Sequence, residues 1–312
     1  MEEMNAIAAI VVTYNRKDML LSCIERLLGQ KDAWCDILII DNASTDGTAE
    51  TVTPLLNERV RYFCTGSNTG GGGGFNFGIK KAYELGYRLF WLMDDDTLPY
   101  PDALLKLLEA DRALNGTYGF LSSIALWTDG SECRMNRQKI KKAFYERIEL
   151  LKYGLIQIEQ ATFVSFLIRA ETVQQYGFPI KEFFIWGDDI EYSRRISVRG
   201  GLPGYIAGQS QVVHAMKENT GSNIALDRIE RIDRYKYAYR NELYLYRKEG
   251  ICGVFYYLAK CGRDFFRVVF QARGQRARRL GVLLSAIWRG GWFRPKVEYP
   301  DPIQRCNSST SD

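Results

Sequence analysis

The chain has 312 residues, 46% hydrophobic and 25% charged, with 42 Lys and Arg against 37 Asp and Glu and a formal net charge of +5. That balance excludes a disordered or collagen-like chain and allows either one large core or a catalytic domain with a smaller appendage. With a single histidine, His214, and seven scattered cysteines (Cys23, Cys35, Cys64, Cys133, Cys252, Cys261, Cys306), a Cys/His metal cluster is also excluded.

From the amino terminus, strand and helix patterns alternate. Ala6–Thr13 reads as a buried strand, Lys17–Gly29 as a helix, Asp36–Ile40 as a strand and Asp46–Leu56 as a helix. Val60–Cys64 is the third strand, Phe75–Leu85 a helix with apolar face Phe75, Ile79, Ala82 and Leu85, and Arg88–Met93 the fourth strand. This is α/β punctuation, and a parallel sheet of this kind opens its binding crevice at the carboxyl ends of its strands. The loops that matter therefore begin near Thr13, Asp41, Cys64 and Asp94. In the second loop Ser44 and Asp46 read as helix caps, whereas Asp41 precedes the cap and points into the crevice. Gly70–Gly74 lies between a strand and a helix and reads as a ligand-facing loop, with a flexible linker as the alternative; it fits neither a Walker nor a dinucleotide fingerprint.

Asp94-Asp95-Asp96 closes the fourth strand. Three adjacent carboxylates repel one another, and the remedies are a raised pKa or a divalent cation whose shell is completed by phosphate oxygens. A solvated acidic loop or a helix N-cap is the plainer alternative, since Pro101-Asp102 opens a helical pattern. No pattern is legible across Ala113–Gln160. A second acidic cluster, Asp188-Asp189-Ile190-Glu191, opens an amphipathic helix, where capping is the structural reading. Tyr205–Val213 is strand-like and leads to His214. Asp227–Lys248 reads as a long helix packed on the catalytic domain, on the spacing of Ile229, Ile232, Tyr239, Leu243 and Tyr246.

Val-Val-Thr-Tyr-Asn-Arg at 11–16, Ile-Asp-Asn-Ala-Ser-Thr-Asp-Gly-Thr at 40–48, Asn-Thr-Gly-Gly-Gly-Gly-Gly-Phe-Asn-Phe-Gly at 68–78 and Asp-Asp-Asp at 94–96 stand in the order and spacing of the family 2 inverting glycosyltransferases. Over about residues 6–215 the chain resembles that family, which implies the GT-A fold, a mainly parallel sheet flanked by helices. The glycine-rich segment and Phe184-Ile185-Trp186-Gly187-Asp188-Asp189-Ile190-Glu191-Tyr192 are most similar to bacterial galactofuranosyl- and rhamnosyltransferases of cell-surface polysaccharides. The resemblance implies a donor site of Thr13, Asn15, Arg16, Asp41, Asn68, Gly71, Gly72, Asn76, Asp94 and Asp95, with Asp41 reading the base and Asp95 the ribose. It implies Asp96 and His214 as ligands of Mn²⁺ or Mg²⁺, with Asp94 assisting. Asp189 becomes the base of a single inverting displacement. Trp186, Asp188 and Glu191 become acceptor-binding residues, although an aromatic at 186 reads equally well as core.

These expectations divide the chain into a catalytic domain, 1–218, and a helical, basic and aromatic region, 219–312. Val254–Ala272 and Arg276–Trp292 mix apolar stretches with arginines, a pattern of membrane-surface helices rather than of the roughly 18–20-residue apolar run that spans. A dimer contact is the alternative, and nucleic acid ranks below both. Unpaired cysteines and the lack of a leader pattern predict a cytoplasmic protein, peripheral on the inner face of a bacterial plasma membrane, with a nucleotide-sugar donor and a glycan or lipid-linked glycan acceptor. UDP-galactofuranose is the first donor and dTDP-rhamnose the second. A nucleotidylyltransferase, which releases pyrophosphate, and a non-catalytic membrane adaptor are the alternatives from other classes.

Overall fold

The computed structural model describes residues 7–301. Ala6, Cys306 and the polar end Asn307–Asp312 lie outside the described residues.

β1 (Ile7–Thr13) is apolar at every position except its last, and buried throughout. A strand without a polar face belongs inside a sheet covered on both sides. In chain order β2 (Asp36–Asp41), β3 (Val60–Cys64) and β4 (Leu89–Asp94) complete a parallel half in which β1 pairs β2 and β4, and β2 pairs β3. The register sets Thr13 beside Asp41, Asp41 beside Cys64 and Val12 beside Asp94, so the four expected loops do open along one edge.

Alternation along the strands builds two cores. Ala9, Val11, Trp91 and Met93 pack with Leu20, Ile24 and Leu27 of α1 (Lys17–Leu28). Ala8, Ile10, Phe90 and Leu92 pack on the other face with Phe75, Ile79 and Ala82. Side chains such as Ile10 and Phe90, fully excluded from water, each contribute about 1.5–3 kcal/mol. The helix expected over Asp46–Leu56 is shorter. α2 (Thr48–Val52) follows a left-handed Gly47, and Pro54, lacking an N–H, tightens the end into a 3₁₀ turn, Thr53–Leu55.

The larger correction concerns the glycines. α3 (Gly70–Glu84) begins at Gly70, so the run is the first turns of a helix and not a loop. Its glycines serve close packing. A Cβ on Gly74 would stand 2.6 Å from Val12 Cγ1, and one on Gly78 would stand 2.5 Å from Ile10 Cγ2. Gly70 has φ +71 and lies against the Phe184 carbonyl. Low helix propensity is thus overridden by how near the helix must approach the sheet and the 180–188 segment.

The remainder of the catalytic part contributes β5 (Thr97–Pro99), α4 (Ala103–Ala113), β6 (Phe120–Leu126), β7 (Lys139–Ile140), β8 (Leu155–Gln160), β9 (Phe166–Arg169), α5 (Ala170–Tyr176), α6 (Asp188–Arg194) and β10 (Gly204–His214). The sheet runs β3-β2-β1-β4-β9-β6-β10-β8-β7, with β5 on β10. It is parallel in its first four strands and mixed beyond, because β9 enters antiparallel between β4 and β6.

Three helices follow, α7 (Tyr235–Lys248), α8 (Ile251–Gln271) and α9 (Arg276–Trp292). The long helix expected from Asp227 starts instead as a 3₁₀ turn, Ile229–Arg234. Buried Arg279 donates to the Asp227 carbonyl at 2.9 Å, and the Arg231 N–H bonds the Arg228 carbonyl instead. Tyr239, Tyr257, Cys261, Val268, Leu283 and Ala286 give these helices a core of their own. Beyond α9 the chain returns across the catalytic part, where Glu298 accepts from Lys80 (2.6 Å) and Lys181 (2.5 Å). Hydrogen bonds from Lys181 and then Lys80 hold its carboxyl down at about 2. No helix among the described residues is long and apolar enough to cross a membrane.

Candidate active site

The end of β4 and the loop after β1 meet at Asp95. Thr13 donates its hydroxyl to Asp95 Oδ2 at 2.7 Å, and Arg16 Nη1 reaches Asp95 Oδ1 at 3.0 Å and Asp96 Oδ2 at 2.6 Å. The β5–β10 pairing sets Thr97 opposite His214, which brings the histidine to the same edge. His214 Nε2 stands 3.1 Å from Asp96 Oδ1. Ligand atoms of Asp94, Asp96 and His214 all lie within 4.8 Å of one another. Two carboxylates and one imidazole, brought together from positions far apart in the chain, fit a hard or borderline divalent cation, so these residues suit the Mn²⁺ or Mg²⁺ that the family implies.

The charges agree with that fit. Burial and then the Asp96 charge push Asp94 up to about 7, and burial pushes Asp95 up to about 6 against the pull of Arg16. Burial would also raise Asp96, but its bond to His214, the His214 charge and Arg16 hold it at about 2. Burial works against His214 as a cation, yet the bonds to Asp96 and Cys133 and the nearby carboxylates raise it to about 10. The contacts of His214 and Arg16 with Asp96 offset part of the cluster's negative charge.

The second acidic cluster faces the first. Asp188 is pushed well up by burial, then by Asp189 and by Asp94, and its carboxylate is the nearest neighbour of the Gly71 position on α3. Burial raises Asp189 beside it to about 6. α6 starts after Gly187 at φ +89, and the residues before it include Phe184 at φ +64 and Trp186 at φ +62. Non-glycine residues in this region are held there by their surroundings. Here the holder is buried Asn241 of α7, whose Nδ2 donates to the carbonyls of Phe183 (2.9 Å) and Trp186 (2.8 Å), while Arg240 donates to Glu182.

Other expected site residues stand elsewhere. Glu191, expected to bind acceptor, is fully buried in ion pairs with Arg195 and Arg199, where it braces α6. Asn76 is buried and donates to the Pro179 carbonyl at 2.8 Å, a direction set by the early start of α3. Trp186 packs edge-on against Tyr235 with ring centroids 5.0 Å apart, which favours its reading as core. Asn68 accepts from the Gly70 N–H, and Gly71 and Gly72 lie in the first turn of α3 against Asp188 and the 180–184 backbone. Ser44 does not cap α2; it donates to Asp41 Oδ1 at 2.6 Å, and Tyr62 donates to Asp41 Oδ2 at 2.6 Å. Asp46 does bond the Thr48 N–H, and Asn15 joins the first loop to the second through the Thr45 N–H at 2.7 Å.

Four contributors went unread in the sequence. Asn42 clamps Thr69 and Gly70 at the start of α3, and its position next to Asp41 was the available signal. Asn136 bonds His214 Nδ1 at 2.7 Å and had no signal. Burial and then the charges of Arg231 and Arg16 lower the Arg234 pKa, so Arg234 stands within electrostatic reach of Arg16, while Arg231 pairs with Asp227 and lies over Trp186.

The strand-end aspartates, the histidine beside them and the sheet order agree with the GT-A arrangement that the resemblance implies. The family description Glycosyl transferase family 2 matches residues 8–171, and the chain belongs to that family. It is 26% identical over 211 residues to galactofuranosyltransferase GlfT1 of Mycolicibacterium smegmatis, covering 65% of this chain and 68% of that one. The protein of the same name from Mycobacterium tuberculosis is 27% identical over 209 residues, covering 64% and 66%. Among solved structures, GalNAc-T7 with UDP, GalNAc and Mn²⁺ superposes with a TM-score of 0.56 at 14% identity, over 77% of this chain and 47% of that one.

Proposed function

We propose that the protein is an inverting galactofuranosyltransferase that moves the sugar from UDP-galactofuranose onto a growing, lipid-linked cell-surface glycan, with Mn²⁺ or Mg²⁺ bound by Asp94, Asp96 and His214. The observation that carries the reading is the cation-type ligand set of Asp94, Asp96 and His214, with the Asp94 charge reaching Asp188 of the second acidic cluster. The names of the two galactofuranosyltransferase relatives support the choice of sugar.

In this reading Asp94, Asp96 and His214 would hold a divalent cation, which when bound would supply positive charge for the departing diphosphate. Arg16, with Arg234 within electrostatic reach, adds fixed positive charge for the same phosphates. Asp95, already bonded to Thr13, takes the ribose. Asp41 holds Ser44 and Tyr62 through three donors, which leaves roughly one of about four acceptor sites for the base edge. Asp189 removes the acceptor hydroxyl's proton as that oxygen attacks the anomeric carbon from the side opposite the diphosphate. No side-chain nucleophile takes part. A donor panel tests this: purified protein with Mn²⁺ releases UDP from UDP-galactofuranose in the presence of a lipid-linked glycan acceptor. Turnover with dTDP-rhamnose alone transfers the assignment to a rhamnosyltransferase, and pyrophosphate release removes it from the class.

The acceptor's lipid gives the helical tail a purpose at the inner face of the plasma membrane. Ile251, Phe255, Leu258, Phe266 and Phe270 of α8, with Trp288 and Trp292 of α9, are exposed; Phe270 and Trp292 are each 75% accessible. Arg263 and Arg267 of α8 pair with Asp264 and stay partly exposed, and exposed aromatics on an arginine-bearing helix suit an anionic bilayer. The full chain is therefore expected to float with anionic liposomes and a Phe270→Ser/Trp288→Ser/Trp292→Ser variant to stay in the soluble fraction. Equal flotation of the two would remove these aromatics as the anchor.

A further inference from the structure

His214 has two ring nitrogens, and only Nε2 faces Asp94 and Asp96. Nδ1 lies 2.7 Å from the side-chain oxygen of Asn136, a buried residue in the 3₁₀ turn Arg134–Asn136. The amide is bonded on both sides. Its Nδ2 donates to Thr162 Oγ1 at 2.8 Å, and its Oδ1 accepts from the buried Cys133 thiol at 2.9 Å. An amide oxygen can only accept, so His214 must present N–H at Nδ1. The turn is itself tied to the chain that follows His214. Arg134 N–H donates to Asn219 Oδ1 at 2.8 Å, Asn219 Nδ2 donates to the Glu132 carbonyl at 2.8 Å, and Trp127 Nε1 donates to the Met216 carbonyl at 2.9 Å.

We infer that Asn136 is a positioning residue of the cation site, keeping the His214 proton on Nδ1 so that the Nε2 lone pair is aimed between Asp94 and Asp96. The inference rests on the metal-dependent reading above. It also gives the 127–136 segment, which has no legible sequence pattern, a direct part in donor binding. Groups that orient a ligating histidine typically govern metal affinity by about 10–100-fold.

The test uses the full chain and Mn²⁺ alone, with free Mn²⁺ followed by electron paramagnetic resonance. Asn136→Ala is expected to weaken Mn²⁺ binding by about 10–100-fold, while Asn136→Asp, which keeps an acceptor oxygen, stays near wild type. Because the chain has one histidine, ¹⁵N-histidine labelling gives one imidazole spectrum. At a Mg²⁺ concentration that saturates the wild type, it should report ligated imidazole with the proton on Nδ1 in wild type and a population of unligated imidazole in Asn136→Ala. Wild-type Mn²⁺ affinity with an unchanged imidazole spectrum in Asn136→Ala would overturn the inference, as would equal weakening in Asn136→Asp. His214→Ala binding Mn²⁺ as tightly as wild type would instead defeat the cation site itself.

Discussion

Asp189→Asn should abolish sugar transfer, lowering kcat by about 10²–10⁴-fold, the usual contribution of a positioned general base. Donor and Mn²⁺ binding should be unchanged, since the ligand set lies in Asp94, Asp96 and His214. Burial raises the Asp189 carboxyl to about 6, so kcat/KM of the wild type should fall below about that pH as the base takes up its proton. The sign for stability runs the other way. A buried acid with a raised pKa favours the folded state when protonated, and that advantage is lost as the pH rises through about 6. At pH 8 the asparagine variant should therefore melt no lower than wild type, which separates a catalytic loss from a folding defect. A variant that keeps most of its turnover removes Asp189 from the mechanism, and loss confined to Asp188→Asn moves the base by one residue.

Asp96→Ala should act on the other half of the reaction. Asp96 accepts from Arg16 and faces His214 Nε2, and it is the carboxylate held lowest in the cluster, at about 2. It is therefore ionised and available to a cation at any physiological pH. Its removal should eliminate Mn²⁺-dependent protection by UDP against unfolding, which for a ligand at a hundred times its Kd amounts to about 2.7 kcal/mol. Asp189→Asn should retain that protection in full. In the same assays chelator should abolish wild-type transfer and added Mn²⁺ or Mg²⁺ restore it. Full turnover in chelator would sink the metal assignment of Asp96 and His214 together.

The meeting of the strand ends at one sheet edge was legible because its logic is local. β1, β2 and β4 are short buried runs that end in Thr13, Asp41 and Asp94, polar residues whose place at the sheet edge follows from parallel pairing. Asp94-Asp95-Asp96 is conspicuous for the same reason: charge appears where apolar residues stop. What escaped depends on distant partners. The glycines of α3 reveal their purpose only once Val12 and Ile10 are seen beneath them. Glu191 drew its expected role from the resemblance of the 187–191 motif to the family's, and the arginines that bury it lie on the next turns of the same segment. Asn136 sits between a two-residue strand and irregular turns, with no periodicity to detect.

Asn241 alters how the chain can be divided. The boundary near residue 218 is a change of composition, but one amide on α7 supplies donors to the backbone on which Trp186 and, just beyond it, Asp188 and Asp189 are carried. Cutting the helices away would strip those carbonyls of their donors and release a segment with two non-glycine residues at positive φ. The tail is thus part of the tool rather than its handle. Exchanging it for that of a related enzyme can succeed only where the incoming helix brings an equivalent amide to the same three carbonyls.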